Sequence, residues 1–278
     1  MGEWQVTEKS VRDYTQAVGD SQDTYFQTRL APPLALIAWT LGNLLRRLDL
    51  PSGAIHSLQE METLRGVEFG ENITAFAQIG QPRRRGDLEF ITTNYTLQAA
   101  DGEEVLRGLS TVLVNRGAAP KSPRRESNEA LPASPAKPAV SPAHSLPVVD
   151  RTINQDQLAA YAQASGDQNP LHLDPEFAAT TQFGQIIAHG MLTLALVSEA
   201  MGRAYGSAWL ESGALKVKFK GAAYLGDHLY TQCHSSKQEV IERGIREVCS
   251  VGVMERESGR ELVSGSASVI ISGENSGP

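Results

Sequence analysis

Cysteine is scarce in this chain: Cys233 and Cys249 are the only two in 278 residues. Two thiols in no recognisable spacing exclude a disulfide framework, and the six histidines are too scattered along the sequence to suggest a metal site. Aromatic residues are also few, at 6%. A basic excess is missing, since the net charge is -7, and general nucleic-acid binding would want the opposite sign. No apolar run reaches the length of about 18 residues needed to cross a bilayer. Residues 1–10 are polar, unlike a secretory signal. These absences lead us to expect a cytoplasmic protein with no nucleic-acid or membrane partner and no bound metal. What is there, 41% hydrophobic and 21% charged residues over 278 positions, suits two packed units of ordinary composition.

Proline is unevenly spread. Half of the 14 fall within residues 117–147, GAAPKSPRRESNEALPASPAKPAVSPAHSLP, a stretch rich in alanine and serine with no hydrophobic periodicity. It reads as an extended linker between a first unit at 1–116 and a second at 148–278. A tether of about 30 residues spans several tens of Å when extended, so the two units can pair edge to edge. The cluster Lys121, Arg124 and Arg125 is most simply a solubilising feature of that linker.

The flanking units share an internal repeat. Residues 14–20 read YTQAVGD and residues 161–167 read YAQASGD. Each copy continues into an apolar helix, starting near Leu34 or Met191, and then into a β-rich tail. In the second tail Leu215, Val217 and Phe219 alternate with Lys216, Lys218 and Lys220, a half-buried strand. Further strands are expected over 229–239, 242–255 and 261–271, with Ser258-Gly259 as a hairpin turn. In the first copy 66–79, 87–99 and 104–114 play these parts, around an Asp101-Gly102 turn. Gly86-Asp87 reads as the counterpart of Gly226-Asp227. Strands gathered after one buried helix suit an α+β layer fold.

The chemistry concentrates in residues 161–191 of the second copy. Asp167 and His172 lie in a segment broken by Gly166 and Pro170, so no regular periodicity holds their side chains apart, and they can converge on one water. Asp174 before Pro175 is explained by helix capping alone. Gly190 stands at the start of a helix that is apolar on nearly every face. Unpartnered backbone donors and the helix dipole stabilise negative charge there, and glycine permits close approach of a ligand. A structural hydrogen bond and a substrate contact are both open for His189, while Tyr161 is expected in the core.

At these residues the pattern Ser165-Gly166-Asp167-x-Asn169-Pro170-Leu171-His172, with Ala188-His189-Gly190-Met191 behind it, resembles the MaoC-like (R)-specific enoyl-CoA hydratases, or hydratase 2 family. The resemblance implies a tandem, double hot-dog fold, each half an antiparallel sheet wrapped around a long helix. It implies reversible addition of water to a trans-2-enoyl thioester, with Asp167 and His172 as the catalytic pair and the Gly190 N–H as oxyanion donor. Ser198 matches a serine that supports the aspartate, and Asn169 an amide that positions the water. No cofactor is implied, because coenzyme A is part of the substrate.

The first copy is expected to be inert. If Ala31-Pro32-Pro33-Leu34 replaces Ala188-His189-Gly190-Met191, Pro33 takes the place of Gly190 and offers no N–H. Tyr25 falls where the second copy has His172. Only eight positions separate Tyr25 from Pro33, against eighteen between His172 and Gly190. By the resemblance, that shortening suits long or bulky acyl chains. Lys216, Lys218 and Arg84 are candidates for coenzyme A phosphates, or for docking an acidic acyl carrier protein. A hot-dog thioesterase and a non-catalytic acyl-binding subunit are the rival readings, and association of two chains is open.

Overall fold

The computed structural model describes residues 2–45, 54–116 and 144–272. Residues 117–143 of the expected linker, with Lys121, Arg124 and Arg125, lie outside the described residues. Its last residues are not free: Ser145 forms a β-bridge with His234, and the N–H of Leu146, a buried residue, donates to the Cys233 carbonyl at 2.9 Å.

The first half runs β1 (Gly2–Gln5), α1 (Glu8–Val18), α2 (Thr24–Thr28), α3 (Pro33–Leu45), β2 (Ile55–Thr63), β3 (Asn72–Ile79), β4 (Arg83–Arg85), β5 (Leu88–Ala99) and β6 (Glu104–Asn115). The second runs β7 (Asp150–Thr152), α4 (Gln155–Ser165), a 3-10 turn (Pro170–His172), α5 (Pro175–Ala179), α6 (Gly190–Tyr205), α7 (Ser207–Ser212), β8 (Ala214–Phe219), β9 (His228–Thr231), β10 (His234–Ile241), β11 (Gly244–Glu255) and β12 (Glu261–Ile271). The sheet order β1-β3-β5-β6-β2-β8-β12-β11-β9-β7 is a palindrome in which each strand of the first half has its counterpart in the second. The halves join where β2 and β8 pair antiparallel, Leu58 opposite Lys218 through Glu62 opposite Ala214. This is the expected α+β double hot dog, with α3 and α6 as the two central helices.

α6 is buried continuously from Met191 to Gly202, as a helix that is apolar on nearly every face requires. α3 approaches the other half so closely that a Cβ on Gly42 would sit 2.0 Å from the Ser165 carbonyl oxygen, and the Trp39 indole N–H donates to the Ala164 carbonyl at 3.0 Å. Tyr14 and Tyr161, equivalent residues of the repeat, meet across the junction at 6.3 Å between ring centroids.

Two sequence expectations need correction. β2, a central strand, was not foreseen, because its apolar residues Ile55, Leu58 and Met61 recur every third position. A register shift between His56 and Leu58 breaks the period of two in the first interval, and beyond it the buried face is carried by Gln59, Met61 and Thr63, two of them polar. Secondly, Gly86-Asp87 is not the counterpart of Gly226-Asp227. It lies between β4 and β5, whereas Gly226-Asp227 precedes β9, whose mirror strand is β3, and β3 is preceded by Gly70-Glu71. Gly70 and Gly226 share positive φ, 101° and 88°, and isolated bridges sit alike before them, Leu30 with Glu68 and Ile187 with Tyr224. The expected strands 66–79 and 229–239 are shortened or split for related reasons. The first starts only at Asn72, and the second breaks between β9 and β10.

Candidate active site

Capping delivers the aspartate. Asn154 caps α4 by accepting the Gln157 N–H at 2.9 Å, and the helix ends where Gly166 turns left-handed at φ 81°. Asp167 is the next residue, half-buried, its N–H donating to Ser165 Oγ at 3.2 Å. Asp167 Oδ1 accepts the Asn169 N–H at 3.2 Å, and Asn169 Oδ1 accepts the Leu171 N–H at 3.1 Å, which winds the 3-10 turn that presents His172. Asp174 caps α5 through the N–H groups of Glu176 and Phe177, as its sequence suggested.

His172 is buried, and its Nδ1 lies 2.8 Å from the Ile187 carbonyl oxygen. A carbonyl only accepts, so Nδ1 carries the proton and Nε2 presents a lone pair. Burial pushes the His172 pKa below 6.5, opposed by the neighbouring Asp167 carboxylate and by the bond to Ile187. The imidazole is therefore held neutral near pH 7.

His189 stacks on His172, ring centroids 3.9 Å apart, with Tyr161 on its other flank at 4.9 Å. Its Nε2 lies 3.1 Å from the Asp167 carbonyl, so that nitrogen bears the proton. Burial, reinforced by His172, drives the His189 pKa well below 6.5. His189 Nδ1 is buried without a partner. Asp167, His172 and His189 offer ligand-capable atoms all within 4.8 Å of one another. All three residues lie in the stretch that the sequence singled out, although not at a spacing read there as a metal site. Two imidazoles and a carboxylate at that spacing could hold a divalent cation as well as relay a proton.

Gly190 opens α6 behind an N-cap, His189, that makes no side-chain capping bond. Among the described residues no acceptor takes the Gly190 N–H. The approach to it is pinned by the Ala188 N–H donating to the Ala223 carbonyl at 2.8 Å. A Cβ at Gly190 would meet His56 Cβ at 3.1 Å and Phe219 Cε1 at 3.2 Å, so the helix start is walled by a residue from each half. His56 gave no signal in the sequence. Only the pairing of β2 with β8 brings it here.

Five expected residues stand differently. Ser198 Oγ accepts the Trp209 indole N–H at 3.1 Å, and no bond joins it to Asp167 among the described residues. Asn169 is spent on its turn and on the Ala54 carbonyl, which its amide reaches at 3.3 Å. Arg84 is paired to Glu89 at 2.9 Å and Lys216 to Glu60 at 2.7 Å, and both cations are exposed. Lys216 and Lys218 alternate with the buried Leu215 and Val217, so they project from the opposite face of β8. Lys218 has no ion-pair partner among the described residues. None of these three cations contacts Asp167, His172 or Gly190.

Comparison with known proteins follows the same division into halves. Residues 141–256 match the MaoC like domain, and residues 2–107 match the FAS1-like, dehydratase domain region. An (R)-specific enoyl-CoA hydratase from Aeromonas caviae is 44% identical over 73 residues, 26% of this chain and 46% of that protein. The chain thus spans less than half the length of that curated relative. A solved structure of a MaoC-like dehydratase superposes with TM-score 0.77 at 19% identity, covering 97% of this chain and 96% of its own. A Mycobacterium tuberculosis protein with a double hot-dog fold superposes with TM-score 0.62 at 12% identity, over 96% and 92% of the two chains. Residues 141–256 are thus similar to MaoC-like domains and residues 2–107 to a FAS1-like dehydratase region, and the whole chain shares the double hot-dog fold of these solved structures.

Proposed function

We propose that the chain is a hydro-lyase that adds water reversibly across the double bond of a trans-2-enoyl thioester, with a coenzyme A thioester as the substrate. The observation that carries this reading is a neutral imidazole with a bare Nε2 beside a carboxylate, next to an uncapped helix start. In the hydration direction His172 Nε2 accepts a proton from the water as its oxygen bonds to the β-carbon, while the Asp167 carboxylate orients that water. The electron pair of the double bond moves toward the thioester carbonyl, whose oxygen gains negative charge against the Gly190 N–H. The proton on Nε2 then passes to the α-carbon on the same face. One water is consumed and the protein returns to its starting protonation state.

No cofactor takes part in this scheme. One chain supplies both halves of the site, so a second copy is not required for it. No described helix is long and apolar enough to cross a membrane, and a cytoplasmic setting suits the substrate. The shortened segment of the first half supports acceptance of long or bulky acyl chains. Purified protein with a panel of enoyl-CoAs is the test: conjugated absorbance falls and the product is the (R)-3-hydroxyacyl thioester. Release of free thiol instead would make it a thioesterase, and tight acyl-CoA binding without turnover a binding subunit. Exclusive use of four-carbon substrates would overturn the chain-length reading alone.

A further inference from the structure

His56 belongs to the half that carries none of the proposed reacting groups, yet its Cβ would lie 3.1 Å from a Cβ on Gly190. Three features hold it there. The register shift between His56 and Leu58 re-aims the strand at this point, as bulges beside functional sites do. The Asn169 amide, from the loop between Asp167 and His172, donates to the Ala54 carbonyl at 3.3 Å and ties the start of β2 to that loop. The imidazole also lies against the Phe219 ring, centroids 5.1 Å apart. His56 Nε2 is nevertheless buried with no hydrogen-bond partner.

A buried polar atom left unsatisfied is destabilising by itself, and the cost is recovered where a ligand completes the bond. Burial lowers the His56 pKa to about 4, opposed by a side-chain hydrogen bond with Gln59, so the ring is neutral at physiological pH and Nε2 is the uncharged hydrogen-bonding atom it still offers. An uncharged atom suits an uncharged partner and not a phosphate. The proposed thioester carries such a partner close to its carbonyl, the amide that follows the two methylenes next to sulfur. An amide meets either imidazole tautomer, because its N–H donates to a bare Nε2 and its carbonyl accepts from a protonated one.

We propose that His56 is a specificity residue supplied by the first half, whose Nε2 hydrogen-bonds the amide nearest the thioester sulfur while the thioester carbonyl sits at the Gly190 N–H. This rests on the hydratase reading for the identity of the ligand. The subsite makes the site selective for thiol arms that carry this amide, whichever larger carrier lies beyond it.

Binding of unreactive ligands tests the subsite separately from catalysis. Butyryl-N-acetylcysteamine keeps that amide, and a butyryl alkyl thioester of equal length lacks it. Dissociation constants for both, by ligand-observed NMR, are measured on the full chain and on His56→Phe, which retains an aromatic ring against Phe219. The wild type binds the amide ligand about tenfold tighter, the worth of one buried neutral hydrogen bond. His56→Phe brings the two ligands to parity while the amide-free ligand binds as before, and His56→Gln, with a polar end group, keeps part of the preference. Equal affinities in the wild type, or an undiminished preference in His56→Phe, would overturn the proposal. Hydration without this preference leaves the reaction standing and removes the subsite. The preference without hydration does the reverse.

Discussion

The two halves place a carboxylate in the same position and then use it differently. In each, a helix ends at a left-handed glycine, Gly19 at φ 72° or Gly166 at φ 81°, and the next residue is the aspartate, Asp20 or Asp167. Five positions on, the first half has Tyr25 and the second His172. The Tyr25 hydroxyl donates to Asp20 Oδ2 at 2.6 Å, and the Gln22 amide lies within 3.2 Å of both Asp20 oxygens. Burial raises the Tyr25 pKa well above 10, so the phenol remains a donor with no proton to give up. The Asp20 group is thus closed on itself, and Gln22 extends it to the Glu199 carbonyl on α6 at 3.3 Å. In the second half, the corresponding imidazole keeps a lone pair and the helix start keeps an N–H. α3 begins at Pro33 as α6 begins at Gly190, so the substitution falls on the first helical residue in both. One scaffold therefore yields an anchor or the proposed reactive centre according to two side chains and one backbone donor.

The largest expected effects come from breaking the reactive version. Asp167→Asn and His172→Ala each lower kcat/KM for an enoyl-CoA on the order of 10² to 10⁴-fold, with the melting temperature little changed. Either variant retaining near-full rate refutes the role of that residue. Gly190→Pro then copies the first half at one position. Proline is tolerated at a first helical residue but has no N–H, so a further loss on the order of 10² to 10³-fold in kcat is expected from the wild type. Gly190→Ala keeps the N–H and adds only the crowding against His56 and Phe219. The difference in kcat between the two variants isolates the donor.

Much of this comparison is legible in the sequence, and the limits have physical causes. The repeat, the apolar helices, the turns at Asp101-Gly102 and Ser258-Gly259, and strands β6 and β12 follow from periodicity and turn chemistry. Asp167, His172 and Gly190 stand out because one short stretch holds them all. What could not be read depends on contacts far apart in the chain. β2 hides behind a bulge, and His56 reaches Gly190 only through pairing between halves. Ser198 reads as a partner of the aspartate until α7 folds Trp209 against it. The ion pairs that let Glu199 be buried within a largely apolar helix come from Arg151 and Arg203, and the first of these lies far away in the sequence.

That network supplies the next largest effect, on stability. Glu199 is 1% exposed and pairs with Arg151 at 2.9 Å and Arg203 at 2.5 Å, while Arg151 also donates to the Val18 carbonyl of the first half. Glu199→Ala leaves the largely buried Arg151 unpaired, and denaturant unfolding should show a loss of about 3 kcal/mol. This is the low end for a buried pair because Arg203 reaches water. A loss below about 1 kcal/mol would mean that the Glu199 pairs add little to the strand pairing and packing that join the halves.

Acidification acts on the site through neutral imidazoles from both halves. His56, His172 and His189 all have folded pKa values below that of an unfolded histidine. As pH falls below about 6.5 the unfolded chain takes up protons that the folded chain refuses, so stability declines, for His56 down to pH about 4. Activity needs His172 neutral, so its acid limb lies below pH 6.5. Asp167→Asn removes the charge that opposes desolvation, and NMR titration should find the His172 pKa lower still. An upward shift would contradict the burial argument.

The smallest effect should come from the first half's own carboxylate. Asp20→Asn weakens the bond from Tyr25 and the two contacts with Gln22, for a stability loss of about 1.5 kcal/mol, the low end for a hydrogen bond to a charged group because the amide oxygen still accepts. Its effect on kcat/KM should stay within about twofold, since Asp20 bonds to groups that hold α6 and to none of the proposed reacting atoms. The pairing of Asp20→Asn with Asp167→Asn is informative because the two carboxylates are equivalent by sequence, by helix cap and by topology. If both variants lost activity alike, the closed Asp20–Tyr25 group would have to influence the reactive centre through Gln22 and α6. An inert Asp20→Asn leaves the contrast where the geometry puts it, in Nε2 of His172 and the N–H of Gly190.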